Sequence, residues 1–238
     1  LGLVFERFLA QSGQHITVIG ATSGDTGSAA IDALAGRSGV EVYMLHPDGR
    51  VSEVQRRQMT TVLDSNIHNI AIDGNFDDAQ AIVKAMFNDA AFAARFPLAA
   101  VNSINWARVL AQVVYYVSSA LSLGAPHRPV SFTVPTGNFG DVFAGYIARS
   151  MGLPIAQLVI ATNQNDILDR ALRSGSYAMD GVKPSISPSM DIQISSNFER
   201  ALFDAYGRDG AKVAGLMGEL KAGGFKISDS ALASLRGT

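Results

Sequence analysis

Two stretches of the sequence share one arrangement, in which an apolar run rich in β-branched residues leads through a glycine-rich turn into an alanine-rich segment. The first is HITVIGATSGDTGSAAIDALAG at 15–36, and the second is VSFTVPTGNFGDVFAGYIARSMG at 130–152. Such runs indicate buried strands, and the segment after each turn indicates a helix. Because the connections between strands and helices are short, the pattern favours a mostly parallel sheet.

The same alternation continues along the rest of the chain. Further strands are predicted at 40–45, 66–73 and 155–162, and further helices at 53–62, 77–87 and 104–121, while the helix of the second stretch is predicted at 140–152. Strands that alternate with helices in this way are typical of α/β proteins. We therefore expect an α/β fold with two doubly wound, mostly parallel open sheets.

A change in composition divides this pattern. Residues 88–103 mix Ala, Pro97 and small polar residues between two helix-forming stretches. We place a domain boundary near residue 98, which gives a smaller α/β domain at 1–98 and part of a larger one at 99–238. Residues 172–198, rich in Ser, Gly, Pro and Met, are typical of a loop with a functional role.

Composition argues against several classes of partner. The net charge of the 238 residues is −2, so we expect no nucleic-acid partner and no binding to a membrane surface. No apolar run is long enough for a transmembrane helix, and a cytoplasmic location is expected. Cysteine is absent, and the 4 histidines show no ligand spacing, so no metal site is expected. His15 and His46 border strands and are expected to cap them or to face solvent.

Each end of the chain carries only part of the sequence pattern of a helix. LGLVFERFLAQSG has one-sided apolar spacing with no capping residue before it, and SDSALASLRGT has good N-cap residues but stops after about two turns. The pattern predicts an internal fragment that is truncated at both ends.

The two glycine turns have the chemistry of anion sites. The first N–H groups of a helix have no intrahelical partner, and the helix dipole places about half a positive charge there. Glycine lets the backbone approach an anion closely. Side-chain donors in these turns are Thr22, Ser23, Thr26, Thr136 and Asn138, while Asp25 and Asp141 can cap the helices.

Neither turn matches a phosphate-loop, dinucleotide or nucleophile-elbow motif. The first lacks the Lys of G-x-x-x-x-G-K-[ST], its glycines do not follow G-x-G-x-x-G, and Ser23 is not flanked as in G-x-S-x-G. Two roles for these turns therefore remain open. They bind a small anionic ligand through backbone amides, or they are tight turns that only pack a helix.

Four blocks, ATSGDTGSAAIDAL, NSINWARVLAQVVYY, VPTGNFGDVFAGYIA and ATNQNDILDR, resemble the threonine synthase family of fold-type II pyridoxal-phosphate (PLP) enzymes. The resemblance runs from about residue 15 to about residue 200. It implies a tryptophan synthase β-like fold, PLP as cofactor, and a carbon-oxygen lyase that converts O-phospho-L-homoserine and water to L-threonine and phosphate.

The resemblance also implies roles for particular residues. The expected ligands of the PLP phosphate, in the larger domain, are Gly137, Asn138, Phe139, Gly140 and Asp141. The loop expected to hold the substrate α-carboxylate, in the smaller domain, contains Thr22, Ser23, Gly24, Asp25 and Thr26. Candidates for the substrate phosphate are Ser103, Asn105 and Arg108. Weaker candidates for ligand binding are Asn163, Asn165 and Asp166, which lie just past the carboxyl end of a predicted strand. Ser189, Met190 and Asp191 are candidates for ordering a substrate loop.

The chain departs from the family in one important respect. The family carries its Schiff-base lysine in a Phe-Lys-Asp motif before the first glycine turn, and this sequence has no such motif. Its lysines, Lys84, Lys183, Lys212, Lys221 and Lys226, lie elsewhere, so no catalytic residue is assigned and the isolated chain is expected to be inactive. The alternatives are a threonine dehydratase-like PLP enzyme and a non-enzymatic anion-binding protein of the same fold. We expect a monomer or a homodimer.

Overall fold

The computed structural model describes residues 2–102, 105–187 and 190–237. The chain forms two compact units, Leu1–Asn105 and Trp106–Thr238. The boundary predicted near residue 98 falls inside the first unit, because Leu98–Ala100 forms a strand that pairs with Thr17–Ile19. A three-residue strand of this kind has no pattern that a sequence could reveal.

The first unit is built on a parallel four-stranded sheet in the order β3-β2-β1-β4. Its strands are β1 (Ile16–Ala21), β2 (Val40–Pro47), β3 (Ile67–Ile72) and β4 (Leu98–Ala100). Its helices are α1 (Gly2–Ser12), α2 (Asp25–Leu34), α3 (Glu53–Thr60), α4 (Phe76–Asn88) and α5 (Ala90–Arg95).

The two central strands of this sheet, β1 and β2, are buried on both faces. Along β1, Val18 belongs to a core cluster with Ile31 of α2 and Met59 of α3, whereas the next residue, Ile19, belongs to a cluster with Ala79 of α4. Successive side chains of a strand point to opposite faces. Helices therefore cover both faces, as a doubly wound sheet requires.

The second unit has a parallel pair, β5 (Val130–Pro135) with β6 (Ile155–Ala161), and an antiparallel pair, β7 (Ser176–Ala178) with β8 (Gly224–Lys226). Its helices are α6 (Trp106–Ser122), α7 (Gly140–Ser150), α8 (Ile167–Ser174), α9 (Phe198–Ala205), α10 (Gly210–Lys221) and α11 (Asp229–Arg236). The loop predicted at 172–198 is thus partly regular, because β7 pairs with a strand far away in the sequence.

Within the residues that the structure describes, none of the helices combines the length and the apolar character needed to cross a bilayer.

Helices α6 and α7 pack closely at Gly145. A Cβ atom at this position would lie 2.6 Å from Cε1 of Tyr116 and 3.0 Å from Cδ2 of Leu158. The Tyr116 hydroxyl donates a hydrogen bond to the Asp141 carbonyl oxygen over 2.8 Å, which fixes the ring in place. A side chain at Gly145 would therefore push the helices apart.

We predict that Gly145→Ala lowers the free energy of unfolding by about 1–3 kcal/mol, as overpacking usually does. The matched control is Gly215→Ala in α10, where a Cβ would meet nothing within 4 Å. There the better helix propensity of alanine should stabilise by up to about 1 kcal/mol. Urea unfolding of both variants measures the difference, and equal midpoints would show that the contact is not close.

Candidate functional site

A buried threonine holds the first glycine turn, residues 20–27, together from inside. Thr22 Oγ1 accepts hydrogen bonds from the backbone N–H groups of Gly24 and Gly27, each over 2.9 Å, and Thr22 is 1% exposed. The turn needs glycine at 27, because a Cβ there would lie 2.4 Å from Thr22 Cγ2. In this conformation the Thr22 hydroxyl accepts hydrogen bonds within the turn and does not face a ligand. The sequence had predicted it as a side-chain donor to the ligand.

The outer side of the first turn keeps backbone donors available. Among the residues that the structure describes, the amides of Ser23, Asp25 and Thr26 have no hydrogen-bond partner. They lie at the start of α2, whose N-cap is Gly24 with φ 137°. A helix N-terminus with unpaired amides favours an anion.

Gln55 of α3 holds the one carboxylate of this turn. Its Nε2 donates to Asp25 Oδ1, and its Oε1 accepts from Ser52 Oγ over 2.8 Å. Gln55 also covers Gly24, since a Cβ there would lie 2.1 Å from Gln55 Oε1. The Asp25 side chain is thereby held toward α3. Sequence reasoning missed Gln55, whose only signal was its place three residues after the helix-capping Ser52.

The second glycine turn, residues 136–141, is built around a residue in the left-handed conformation. Phe139 has φ 63° and ψ 2° and precedes the first residue of α7. Thr136 Oγ1 accepts from the Phe139 amide over 3.2 Å and donates to Asp141 Oδ1, which also accepts from the Val142 amide over 2.8 Å. Thr136 is 2% exposed and thus has the same internal role as Thr22.

The remaining amides of the second turn are available to a ligand. In the described part of the chain, the N–H groups of Gly137, Asn138, Gly140 and Asp141 have no hydrogen-bond partner. Successive amides beside a left-handed residue form a concavity that binds anions, and the dipole of α7 adds to the attraction. The donor set suits a group with several anionic oxygens, such as a phosphate.

Residues 195–197, here called the SSN segment, contact this turn from its buried side. Ser195 Oγ donates to the Gly137 carbonyl over 2.6 Å. The backbone N–H and the Nδ2 of Asn197 both donate to the Asn138 carbonyl over 3.0 Å. Ser195 is 3% exposed and Asn197 is 0% exposed. The sequence placed these residues in a loop and gave no sign of this contact, which joins residues far apart in the chain.

Arg108 lies in the first turn of α6 and is half-buried. Its Nη1 is buried and has no hydrogen-bond partner among the described residues. Burial lowers the pKa of the guanidinium, although arginine still stays charged. A buried cationic donor without a partner is costly, so an anionic ligand is the natural complement.

The other candidates for the substrate phosphate are less informative. Ser103 lies outside the described residues. Asn105 donates its Nδ2 to the Ala100 carbonyl over 3.1 Å, so this donor serves the backbone of the first unit.

The weaker candidates after β6 form a hydrogen-bonded network around Asp191. Asn163 and Asn165 donate their Nδ2 groups to Asp191 Oδ1 over 2.7 and 2.9 Å, and Ser185 Oγ donates to the same oxygen over 2.6 Å. Asp166 instead pairs with Arg170 within α8. Met190 is half-buried, and Ser189 lies outside the described residues. This network anchors the loop and leaves few donors for a substrate.

Asp191 keeps its charge well into acid. Burial raises the pKa of its carboxyl. The hydrogen bonds from Ser185, Asn163 and Asn165 lower this pKa by more than burial raises it, so the pKa lies below its ordinary value. The charge of Asp191 thus contributes to holding this loop on the carboxyl end of β6.

One histidine differs from its expectation. His46 ends up buried, with 5% exposure, instead of capping a strand or facing solvent. Desolvation lowers its pKa, and the nearby Asp48 opposes this only in part. The imidazole is buried because β2 extends to Pro47, beyond the predicted end of that strand, so that His46 lies within the strand.

All lysines of the chain are exposed, and none lies in a glycine turn. Lys183 and Lys212 form wide ion pairs with Asp180 and Asp209, each at 3.8 Å. An exposed lysine lacks the desolvation that would make it a reactive amine. The structure thus gives none of them a catalytic setting.

A model of the family described as pyridoxal-phosphate dependent enzyme matches residues 2–216. The chain belongs to this family. Threonine synthase of Pseudomonas aeruginosa is 59% identical over 224 residues, which cover 94% of this chain and 48% of that relative. Threonine synthase of Methylobacillus glycogenes is 54% identical over 234 residues, which cover 96% of this chain and 49% of that relative.

Solved structures agree with this assignment. The crystal structure of PLP-bound threonine synthase from Brucella melitensis matches with a TM-score of 0.94 and 61% identity, covering 99% of this chain and 51% of that one. The resemblance and the α/β fold with parallel sheets are therefore confirmed. The chain spans about half the length of the curated relatives it matches.

The internal role of Thr22 gives a direct test. Thr22→Val keeps the shape but removes the acceptor of the Gly24 and Gly27 amides, which would then be left unsatisfied. We predict a loss of about 1–3 kcal/mol in the free energy of unfolding. The exposed neighbour Ser23→Ala is the control and should change it by less than about 0.5 kcal/mol. Urea unfolding measures both, and a neutral Thr22→Val would show that water replaces the hydroxyl.

The charge of Asp191 predicts a dependence on pH. A carboxyl whose pKa is lowered by folding stabilises above its unfolded pKa and loses this effect as the pH falls through the folded value. We expect Asp191→Asn to be less stable than the parent at neutral pH, and the gap to close below about pH 4. Unfolding free energies at several pH values measure the gap. Asp180→Asn, exposed, is the control, and a gap independent of pH would contradict the prediction.

Proposed function

We propose that the protein containing this chain is a threonine synthase, which uses PLP to convert O-phospho-L-homoserine and water to L-threonine and phosphate. The observation that carries the proposal is the set of unpaired amides at 137, 138, 140 and 141. Their setting beside a left-handed residue at the start of α7 fits a phosphate monoester. The sequence identity to threonine synthases over most of this chain supports O-phospho-L-homoserine as the substrate.

The second glycine turn would hold the phosphate of PLP. Amides of Gly137, Asn138, Gly140 and Asp141 bind its oxygens, while Phe139 supplies the left-handed bend. Asp141 contributes its amide, because its carboxylate is occupied by Thr136 and the Val142 amide. When bound, PLP supplies an electron sink for charge that develops on the substrate carbon.

The first glycine turn would hold the α-carboxylate of the substrate. The amides of Ser23, Asp25 and Thr26 donate to its oxygens, and Thr22 and Gly24 shape the turn. The Asp25 carboxylate would repel such a ligand if it lay across these amides. Its hydrogen bond with Gln55 keeps it toward α3.

Arg108 would bind the substrate phosphate. Its buried Nη1 without a described partner supports this role, and a guanidinium matches phosphate oxygens geometrically. Ser103 and Asn105 remain predictions for the same group.

The lysine that binds the cofactor covalently is not assigned to any of the exposed lysines of this chain. We therefore propose that the 238 residues alone are inactive. We further propose that the enzyme acts on small molecules in the cytoplasm as a monomer or a homodimer, with no nucleic-acid or membrane partner.

The test is an assay of the product of the complete reading frame, reconstituted with PLP. We expect release of phosphate and formation of threonine from O-phospho-L-homoserine, and neither from the 238-residue chain. Turnover by the short chain would refute its inactivity. Conversion of threonine to its 2-oxo acid instead would indicate a dehydratase, and no cofactor absorbance would indicate a non-enzymatic protein.

Arg108→Gln in the same enzyme tests the phosphate ligand. Loss of a charge-assisted contact of about 1.5–3 kcal/mol should lower kcat/KM by roughly 10- to 100-fold. Arg56→Gln is the control, because Arg56 is exposed and pairs with Glu53 on α3. If the two variants had the same kinetics, Arg108 would not be a ligand of the substrate phosphate.

A further inference from the structure

The SSN segment donates hydrogen bonds to two carbonyl groups of the second glycine turn. Hydrogen bonds from Ser195 Oγ to Gly137 O, over 2.6 Å, and from Asn197 to Asn138 O, over 3.0 Å, reach the turn from the buried side. Ser196 Oγ also donates to Asn138 Oδ1 over 3.2 Å. These hydrogen bonds act on residues 137 and 138, in the first half of the turn.

A hydrogen bond to a carbonyl group also fixes the direction of the N–H group in the same peptide unit. In a trans peptide the C=O and the N–H point in opposite directions. With the Gly137 carbonyl bound to Ser195, the N–H of Asn138 points away from the SSN segment, and it has no partner among the described residues. The next peptide is held at both ends, by Asn197 at the Asn138 carbonyl and by Thr136 at the Phe139 amide.

Rotation of these peptides would change the charge that a ligand meets. If the peptide between Gly137 and Asn138 turned over, a carbonyl oxygen would replace the N–H on the open side and repel an anion. Donors that are fixed in advance bind more tightly, because no reorganisation accompanies binding. The SSN segment thus acts on the polarity of the turn as well as on its stability.

Aromatic packing keeps the SSN segment in place. The Ser195 amide donates to the Tyr177 hydroxyl over 2.8 Å. The Phe198 ring packs against Phe139 and Tyr177 with centroid distances of 5.3 and 5.1 Å. Tyr177 and Phe198 are fully buried. The segment is therefore a rigid support, joined through Phe198 to the same residue that bends the turn.

We propose that Ser195 and Asn197 are positioning residues that determine how strongly the second glycine turn binds a phosphate monoester. This proposal rests on the proposed function, in which that turn holds the phosphate of PLP. It assigns a role to residues that need not touch the cofactor, since they act through the Gly137 and Asn138 carbonyls.

The experiment compares two ligands that differ only in the phosphate. Pyridoxine 5′-phosphate and pyridoxine lack the aldehyde of PLP, so neither forms a covalent bond with a lysine. Calorimetric titration of the full-length apoprotein gives the ratio of their affinities, which reports the grip on the phosphate alone. The variants are Asn197→Ala and Ser195→Ala. The control is Gln193→Ala, whose side chain bonds to Gly181 O and to the Asp180 amide in the neighbouring loop.

We expect each positioning variant to lower the affinity ratio by roughly 3- to 10-fold, the effect of one net hydrogen bond. The affinity for pyridoxine should stay close to that of the parent, and Gln193→Ala should leave the ratio unchanged. An equal loss for both ligands, or an unchanged ratio, would overturn the proposal.

Failure of the proposed function would look different. If the parent protein itself showed no preference for the phosphorylated ligand, the turn would not be a phosphate site. Should Asn197→Ala fail to fold, Ser195→Ala decides, because it removes one hydrogen bond and leaves both Asn197 contacts in place.

Discussion

A buried threonine hydroxyl just after a parallel strand is the interaction on which both candidate sites depend. Thr22 and Thr136 each accept inward-facing amides of their turn and thereby leave the other amides on the outside. Without that hydroxyl, the inward amides would be unsatisfied in a buried place, and the turn would rearrange to pair them. One short polar side chain thus stabilises the turn and preserves its donors for an anion.

The rest of the fold explains why these donors occur where they do. The inner strands of the first sheet, β1 and β2, are covered on both faces and paired on both sides, so they present unpaired backbone groups mainly at their ends. Each glycine turn follows the carboxyl end of a strand and opens a helix, where amides are unpaired by geometry. Ligand binding at that edge is a general property of open α/β sheets. The local chemistry of this chain decides which ligand is favoured.

Local signals in the sequence were enough to predict most strands, the main helices and both glycine turns. The β-branched run before Gly20 and the alanine-rich run after it needed no distant partner to be recognised. The short strand β4 and the β7–β8 pair were missed, since a three-residue strand exists only through its partner. The same reason hid the SSN segment, whose effect on Gly137 and Asn138 requires the tertiary fold. Thr22 was predicted as a donor because its burial cannot be seen from residue type.

The two turns differ in rigidity, and the difference fits the ligands proposed for them. In the second turn, buried donors fix the carbonyls of 137 and 138, and an aromatic cluster fixes those donors. In the first turn, the outer restraint is a hydrogen bond at the surface, from the half-buried Gln55 of another helix to the exposed Asp25. A preorganised site suits a group that stays bound through many turnovers. A site restrained by one solvent-exposed hydrogen bond can open and close at low cost, which suits a substrate carboxylate that enters and leaves in every cycle.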